Sequence, residues 1–147
     1  EVINIAEKLS NFLNQKIITK KINETNIKGT SSSKIQNIFI DFCKELGFES
    51  EKKGLFKNYA LRPDYYKKLD MGGILLEVER GKTITNNMDL YDLWKCHICE
   101  EANHLFLAVP QHVSHTSNIY ESSWRRLKSF FQKNNLVNID SLFLFGY

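Results

Sequence analysis

The chain has 147 residues, of which 42% are hydrophobic and 12% aromatic, and its formal net charge is +3. This length and composition predict a single globular domain over residues 1–147 and exclude a disordered polyelectrolyte. No apolar run approaches the length that spans a bilayer, and the first residues lack a signal-peptide profile. Three cysteines without the spacing of a disulfide framework favour a reducing compartment, so we expect a cytoplasmic protein that makes no membrane contact.

Residues 1–31 are predicted to form an N-terminal helix and a polar arm. Val2 to Ile18 carries apolar residues at helical spacing, whereas Thr19 to Ser33 is polar and predicts a loop or mobile arm. The core is expected to cover residues 32–110. It opens with a second helix that begins at Ser32 or Ser33 and continues to about Leu46, because the glycine that follows is a typical helix end.

Three strands are predicted after this helix. The first covers Phe48 to Lys53 and the second Leu55 to Tyr66, with a glycine between them. The third covers Ile74 to Glu79 and follows Gly72-Gly73, which we interpret as turn chemistry. A helix from Asn86 or Asn87 to about Ala102 comes next.

The rest of the chain alternates strand and helix. Leu105 to Val109 is a continuous apolar run, as expected of a strand covered on both faces. The C-terminal part, residues 111–147, adds a helix over Ser117 to Asn135 and a strand over Ser141 to Tyr147. This order predicts an α/β fold with a mixed central sheet and helices on its faces. Five large side chains at helical spacing are expected to face the core, namely Trp94, Trp124, Leu127, Phe130 and Phe131.

Three acidic residues lie on or beside the predicted second and third strands. Asp64 follows a proline, and Glu77 and Glu79 alternate with apolar residues on one face of the third strand. If these strands form a hairpin, Asp64 lies opposite Leu76 or Glu77. Like charges at that spacing destabilise a sheet unless a cation lies between them. The acids therefore belong either to a solvated strand face or to a metal site.

The element order, with Pro63-Asp64 ending the second strand and Glu77-Val78-Glu79 on the third, resembles the PD-(D/E)XK nuclease superfamily. The resemblance covers roughly residues 32–110 and implies a restriction-endonuclease-like α-β-β-β-α-β core. It assigns Mg²⁺, with Mn²⁺ as a substitute, to Asp64, Glu77 and the backbone carbonyl of Val78. It also implies that a metal-activated water attacks the phosphorus of a phosphodiester.

Glu79 departs from the family pattern, which usually has Lys at this position. The chain is similar in this respect to a subset of type II restriction endonucleases that carry an acid there. Glu79 is expected to ligate a second metal or to orient the attacking water. In some relatives the motif Lys has migrated to the following helix and supplies the positive charge from there. Lys95 is the candidate for that role in this chain. Arg80 and Lys82, just beyond the strand, are candidates for contacts with a phosphate.

The resemblance implies a Mg²⁺-dependent endodeoxyribonuclease of restriction-enzyme type that acts on DNA, with RNA not excluded, and that forms a homodimer. The alternative is a catalytically inactive nucleic-acid-binding or regulatory module on the same fold. A third interpretation is structural zinc held by Cys96 and Cys99, whose spacing suits a pair of thiolate ligands. The histidines that would complete that site are His104, His112 and His115. Glu45 is a conceivable further acid, although its helix face is predicted to be solvated.

Overall fold

A computed structural model of the chain describes residues 1–27, 29–57, 59–114, 117–132 and 137–147. Within these residues, five α-helices accompany a five-stranded mixed sheet and a separate two-stranded sheet. The helices are α1 (Val2–Leu13), α2 (Lys16–Thr25), α3 (Ser32–Glu45), α4 (Met88–Ile98) and α5 (Ile119–Leu127), and a 3-10 turn at Lys128–Phe131 follows α5. The strands are β1 (Glu49–Ser50), β2 (Tyr65–Lys68), β3 (Gly73–Val78), β4 (His104–Val109), β5 (His112–Ser114), β6 (Ser117–Asn118) and β7 (Ser141–Gly146).

The large sheet changes character at β3. Its strand order is β1-β2-β3-β4-β7, with antiparallel pairing from β1 to β3 and parallel pairing from β3 through β4 to β7. A parallel connection needs a crossover, and α4 supplies it between β3 and β4. The carboxyl ends of β3, β4 and β7 therefore lie at the same edge of the sheet.

Both faces of the sheet are covered, because alternate residues of its central strands enter different clusters. Ile74, Leu76 and Val78 of β3 pack with residues of α1, α2 and α3. Leu75 enters the cluster formed with α4 and α5, together with Leu107 of β4. The α/β class, the mixed sheet and the helices on its faces are thus confirmed. None of the helices in the described part of the chain combines the length and apolar character needed to cross a membrane.

Gly73 is required by a close approach at the start of β3. A Cβ on this residue would lie 2.7 Å from the Glu101 carbonyl oxygen and 2.7 Å from Cε2 of Tyr66. The backbone there has no room for a side chain. Glycine at position 73 is therefore required by packing, in addition to the turn predicted for Gly72-Gly73.

The N-terminal prediction is wrong in part. The single helix predicted over Val2 to Ile18 is divided into α1 and α2, and the first part of the predicted polar arm, up to Thr25, belongs to the helix α2. Two isoleucines one helical turn apart, Ile18 and Ile22, are 7% and 3% exposed. Their burial stabilises a helix that the polar composition of the segment argues against.

The first two strands are much shorter than predicted. In the two predicted strands, only β1 (Glu49–Ser50) and the start of β2 (Tyr65–Tyr66) pair with each other. The described residues from Leu55 to Asp64 do not form a strand. Leu55 and Phe56 are 4% and 5% exposed because they fill the cluster under the sheet instead of extending it. The predicted strands Ile74–Glu79, Leu105–Val109 and Ser141–Tyr147 are confirmed as β3, β4 and β7, with ends that differ by one residue, so that Glu79 and Tyr147 lie just outside their strands.

Two helices end earlier than predicted, and some of their aromatic residues face outward. The helix predicted to reach Ala102 is α4, which ends at Ile98. The helix predicted to reach Asn135 is α5, which ends at Leu127 and is followed by the 3-10 turn to Phe131. Residues 133–135 of that prediction lie outside the described residues. Trp94 and Trp124 are each 44% exposed and Phe130 is 38% exposed, against the expectation of burial. The buried stripes of these helices are centred elsewhere, and Leu127 alone of the predicted inward set is fully buried.

Candidate active site

The carboxyl end of β3 brings together the acids that the sequence singles out. Glu77 is 2% exposed and lies on the sheet face that α4 covers. Tyr65 pairs with Leu76 in the β2–β3 ladder, which brings Asp64 beside Glu77. The expected neighbourhood of the two acids is therefore present, although Asp64 itself precedes the strand.

Asp64 is fixed by four hydrogen bonds, one of which its carbonyl accepts from the Glu51 N–H at 3.0 Å. Its backbone N–H donates to Glu77 Oε2 at 3.1 Å, and its Oδ2 accepts from the Val78 N–H at 2.8 Å. Its Oδ1 accepts from Nε2 of Gln36 on α3 at 2.9 Å. These bonds join α3, the segment before β2 and the end of β3 at one point, so the position of the carboxylate is set by the fold.

Two residues of α4, Asp92 and Lys95, complete the cluster. The Lys95 ammonium lies 2.7 Å from Glu77 Oε1 and 3.1 Å from Asp92 Oδ1. Asp92 is 1% exposed and Lys95 is 5% exposed. A lysine is seldom buried to this extent without a partner. Lys95, predicted as the migrated cation, thus contacts the acid of β3 directly.

Glu79 lies just beyond β3, where its backbone N–H donates to the Ala108 carbonyl at 2.8 Å. Its carboxyl group lies close enough to Asp92 and Asp64 for their charges to contribute, in addition to burial, to its raised pKa. We refer to Asp64, Glu77, Glu79, Asp92 and Lys95 together as the acidic cluster.

Proton affinities in the acidic cluster are high. Burial, with the nearby charge of Asp92, raises the pKa of Glu79 to about 8 and that of Glu77 well above its ordinary value. Burial likewise raises the pKa of Asp92 to about 6 and the pKa of Asp64. Burial alone would lower the pKa of Lys95, but Glu77 and Asp92 outweigh it and raise that pKa. Uncompensated negative charge contributes to the raised pKa values of both the acids and the lysine, because one ammonium does not neutralise four carboxyl groups.

The acidic cluster has the donor chemistry of a site for a hard divalent cation. Its donors are carboxylate oxygens, and Glu77 Oε1 and both oxygens of Asp92 are buried without a hydrogen bond of ordinary geometry from any described residue. The ammonium contacts Glu77 Oε1 and Asp92 Oδ1 as an ion pair instead. As they stand, no three His, Cys, Asp or Glu side chains in the described ranges are arranged around one metal position. Lys95 therefore supplies the positive charge in this arrangement.

Two open grooves reach the acidic cluster from outside. One, of about 400 Å³, is lined by Asp64 together with Lys53 and residues of α3. The other, of about 450 Å³, is lined by Glu79, Arg80 and Lys82. Arg80 also donates from Nε to Asn26 Oδ1 at 3.3 Å and from Nη2 to the Ile27 carbonyl, so its guanidinium is partly committed to the end of α2. Lys82 is exposed.

Asp92 is the residue that sequence reasoning missed. The signal was the spacing of Asp89, Asp92, Leu93 and Cys96, which places the four residues on one face of a helix. In the structure all four are buried. Two acids on an otherwise apolar helix face indicate a polar partner inside the fold. Glu45, the further acid considered, is exposed at the end of α3 and takes no part in the acidic cluster.

The cysteine pair lies in the core. Cys96 and Cys99 are 0% and 7% exposed, and burial raises the pKa of both thiols. His104 Nδ1 is 2.8 Å from Ser141 Oγ on the adjacent strand. No group that includes these residues is arranged to hold a metal within the described residues, and His115 lies outside them. The structure thus places both thiols among apolar side chains of the α4 face.

Neither a scan against protein-family models nor a search of curated proteins gives a match to this chain.

Proposed function

We propose that this chain is a Mg²⁺-dependent nuclease domain that hydrolyses phosphodiester bonds in DNA, and RNA is the alternative substrate to be tested. The observation that carries the proposal is the convergence of Asp64, Glu77, Glu79 and Lys95 at the carboxyl end of β3. Carboxylates in that number, with one cation among them, suit the handling of a divalent ion and a phosphate.

The order of elements supports the finer assignment to a restriction-endonuclease-like fold. The core consists of α3, then β1, β2 and β3, then α4 and β4, which is the α-β-β-β-α-β order that the resemblance implies. The acids lie at the strand where antiparallel pairing gives way to parallel pairing. Ligands of open α/β sheets commonly bind outside the carboxyl ends of parallel strands.

Asp64 and Glu77, with the Val78 carbonyl, are the residues that would hold the ion. The bound ion would neutralise charge on the phosphate and make a coordinated water more acidic. Gln36 and the Val78 N–H hold the Asp64 carboxylate in place, as their hydrogen bonds show. Lys95 supplies the positive charge that the motif lacks at position 79.

Glu79 has the properties of a group that moves a proton. Its pKa of about 8 lies close to neutral pH, which is where a general base or acid works best. Its side chain lines a groove with Arg80 and Lys82, so it is reachable from solvent. In the proposed reaction ionised Glu79 orients the attacking water and accepts its proton, and the nearby charge of Asp92 raises the proton affinity of Glu79.

A second candidate is a nucleic-acid-binding module without catalysis. The observation that favours it is the Lys95 ammonium, which contacts Glu77 Oε1 and Asp92 Oδ1 and already provides a cation inside the acidic cluster. In this alternative the basic residues around the grooves bind phosphates and the buried ion pairs serve only the fold.

Cleavage assays on matched variants test the proposal. The purified chain is incubated with plasmid, single-stranded DNA and RNA in Mg²⁺ or in EDTA, alongside Asp64→Asn, Glu79→Gln and the exposed control Glu45→Gln. We expect cleavage only with Mg²⁺, a loss of about 100-fold or more in rate for Asp64→Asn and Glu79→Gln, and an unchanged rate for the control. Cleavage that survives both site variants would refute the assignment of the site. No cleavage of any substrate by the unaltered chain would favour the binding module.

A further inference from the structure

Three aromatic side chains form a contiguous exposed patch beside α4. Tyr59, Tyr91 and Trp94 are 57%, 39% and 44% exposed. The ring centroids of Tyr59 and Trp94 are 6.3 Å apart at an interplanar angle of 74°, and those of Tyr91 and Trp94 are 6.1 Å apart at 33°. We call these three residues the aromatic patch. Single exposed aromatic residues are unremarkable, but rings that contact one another in water indicate a binding surface.

The aromatic patch is one side chain away from the acidic cluster. The Lys95 ammonium lies 5.3 Å from the centroid of the Tyr91 ring and 2.7 Å from Glu77 Oε1. Tyr91 and Trp94 follow the buried stripe of α4 around the helix, next to Asp92 and Lys95. A molecule lying across these rings would therefore extend toward the carboxyl end of β3.

The charge around the aromatic patch suits a polyanion. Residues 52–62, the segment that contains Tyr59, hold four basic residues and no acid. Three of them have acidic partners outside the segment, namely Lys52 with Glu49, Lys57 with Glu100 and Arg62 with Glu51, and all six side chains are at least 38% exposed. Exposed pairs of this kind are weak, so a phosphate can replace the acid. Lys53 lines the groove of Asp64 on the α3 side. Aromatic faces flanked by lysines and arginines are the combination with which proteins bind single-stranded nucleic acids.

We propose that Tyr59, Trp94 and Tyr91 stack the bases of single-stranded nucleic acid and lead the strand to the acidic cluster. This rests on the proposed nuclease function and assigns it a substrate class: a strand whose bases are unpaired. Bases inside a duplex already stack on one another and present only their edges to a protein. Rings that need free base faces thus discriminate against duplex substrates.

Binding measurements in EDTA test the aromatic patch without cleavage. Fluorescence anisotropy gives the Kd of the chain for a labelled single strand and for the same sequence as a duplex. The variants are Trp94→Ala, Tyr59→Ala and the rescue variant Trp94→Phe. Trp124→Ala is the matched control, because Trp124 is on α5 and is also 44% exposed. Thermal unfolding shows whether each variant is folded, and if Trp94→Ala is not, Tyr59→Ala provides the test.

The expected result is a single-strand Kd about tenfold or more higher for Trp94→Ala and for Tyr59→Ala. We expect Trp94→Phe to regain most of the affinity, the control to bind as the unaltered chain does, and the duplex Kd to change little. Equal affinities of Trp94→Ala and the unaltered chain for the single strand would overturn the proposal. An oligomer that light scattering detects in the unaltered chain but not in Trp94→Ala would overturn it as well, because the patch would then be a contact between copies.

The two proposals fail in different ways. If the unaltered chain binds single strands through Trp94 but cuts nothing, the stacking proposal stands as a property of a binding module and the nuclease function fails. If it cuts, and Trp94→Ala binds and cuts single strands equally well, the stacking proposal fails and the nuclease function stands.

Discussion

Lys95 has 5% of its surface exposed, and its ammonium contacts both Glu77 and Asp92. Its pairing is therefore a matter of stability as well as of chemistry. Removal of one member of a buried ion pair leaves the remaining charge without compensation, which is far more destabilising than the loss of an exposed pair.

We predict that Lys95→Met lowers the free energy of unfolding by about 3 kcal/mol, because two buried carboxylates lose their cation. Urea unfolding followed by circular dichroism measures the change. Lys44→Met, at an exposed position of α3, is the control. A change for Lys95→Met within about 0.5 kcal/mol, as at an ordinary surface site, would show that the ammonium is not needed by the cluster.

The acidic cluster also predicts how stability depends on pH. Glu79 has a pKa of about 8 in the folded chain against 4.5 without the fold, and Asp92 about 6 against 3.8. Between these values the folded state binds more protons than the unfolded state, so stability falls as pH rises from about 4.5 to about 8. We predict this decrease in EDTA, and Glu79→Gln should reduce it because glutamine does not titrate.

A divalent ion should oppose the same decrease. Metal ligation needs ionised carboxylates, so Mg²⁺ or Mn²⁺ should stabilise the chain more at pH 8 than at pH 6. Unfolding midpoints with and without the ion at each pH measure the difference. Equal stabilisation at both values, or the same stabilisation in Glu79→Gln and Asp64→Asn, would place the ion elsewhere.

At this scale the sequence predicts part of the site. The neighbourhood of Asp64 and Glu77 follows from strand alternation and hairpin register, which are local rules. Lys95 follows from the resemblance. Asp92 depends on how α4 crosses β3, and that crossing is set by packing of the helix and not by spacing along the chain.

Among the elements, α4 links the acidic cluster to the C-terminal part of the chain. Asp89, which is fully buried, accepts a hydrogen bond from Arg126 Nη2 of α5 at 2.8 Å. The same guanidinium donates to Asn87 Oδ1 at 2.9 Å and to the Ile84 carbonyl at 3.4 Å. Arg126 therefore fixes the start of α4 and the segment before it, which leads from Glu79 back into the helix.

We predict that Arg126→Met destabilises the chain by about 3 kcal/mol, since it leaves the Asp89 carboxylate buried and unpaired. Hydrogen exchange of the segment from Gly81 to Leu90 should accelerate, because its anchor is lost. Arg125→Met is a close control, as Arg125 is the preceding residue and is exposed. Equal stability of the two variants would refute the role of Arg126.

Element prediction succeeds where the apolar pattern is continuous and fails where anchoring is sparse. The strands β3 and β4 are buried along almost their whole length, and their apolar residues predict them directly. By contrast, α2 is held by two isoleucines in a polar segment. The outward orientation of Trp94 depends on Asp92 and Asp89 taking the buried face of α4, which hydrophobicity alone does not indicate.

At the scale of the whole molecule, one sheet joins two apolar clusters that lie on its opposite faces. Phe106 of β4 is fully buried on the side of the sheet that α1, α2 and α3 cover. Its ring centroid lies 5.1 Å from that of Phe143 and 5.5 Å from that of Phe145, both on β7. Both tryptophans are on helices of the opposite layer. If the sheet unfolds as a unit, a substitution that destabilises one layer should lower the unfolding midpoint of the other layer by the same amount.

We predict that Phe106→Ala lowers the free energy of unfolding by about 4 kcal/mol, from lost burial and the cavity it leaves. Tryptophan fluorescence and circular dichroism should report the same lowered midpoint. Two separate midpoints would show that the layers unfold independently. Ile40→Ala, at a position 42% exposed, is the control.

Diffraction from crystals soaked in Mn²⁺ shows whether the acidic cluster binds a divalent cation. We predict an anomalous peak in contact with the carboxylates of Asp64 and Glu77, and no such peak in crystals of Asp64→Asn soaked in the same way. A peak elsewhere, or none at saturating Mn²⁺ with the Lys95 ammonium still against Glu77, would refute cation binding at this site.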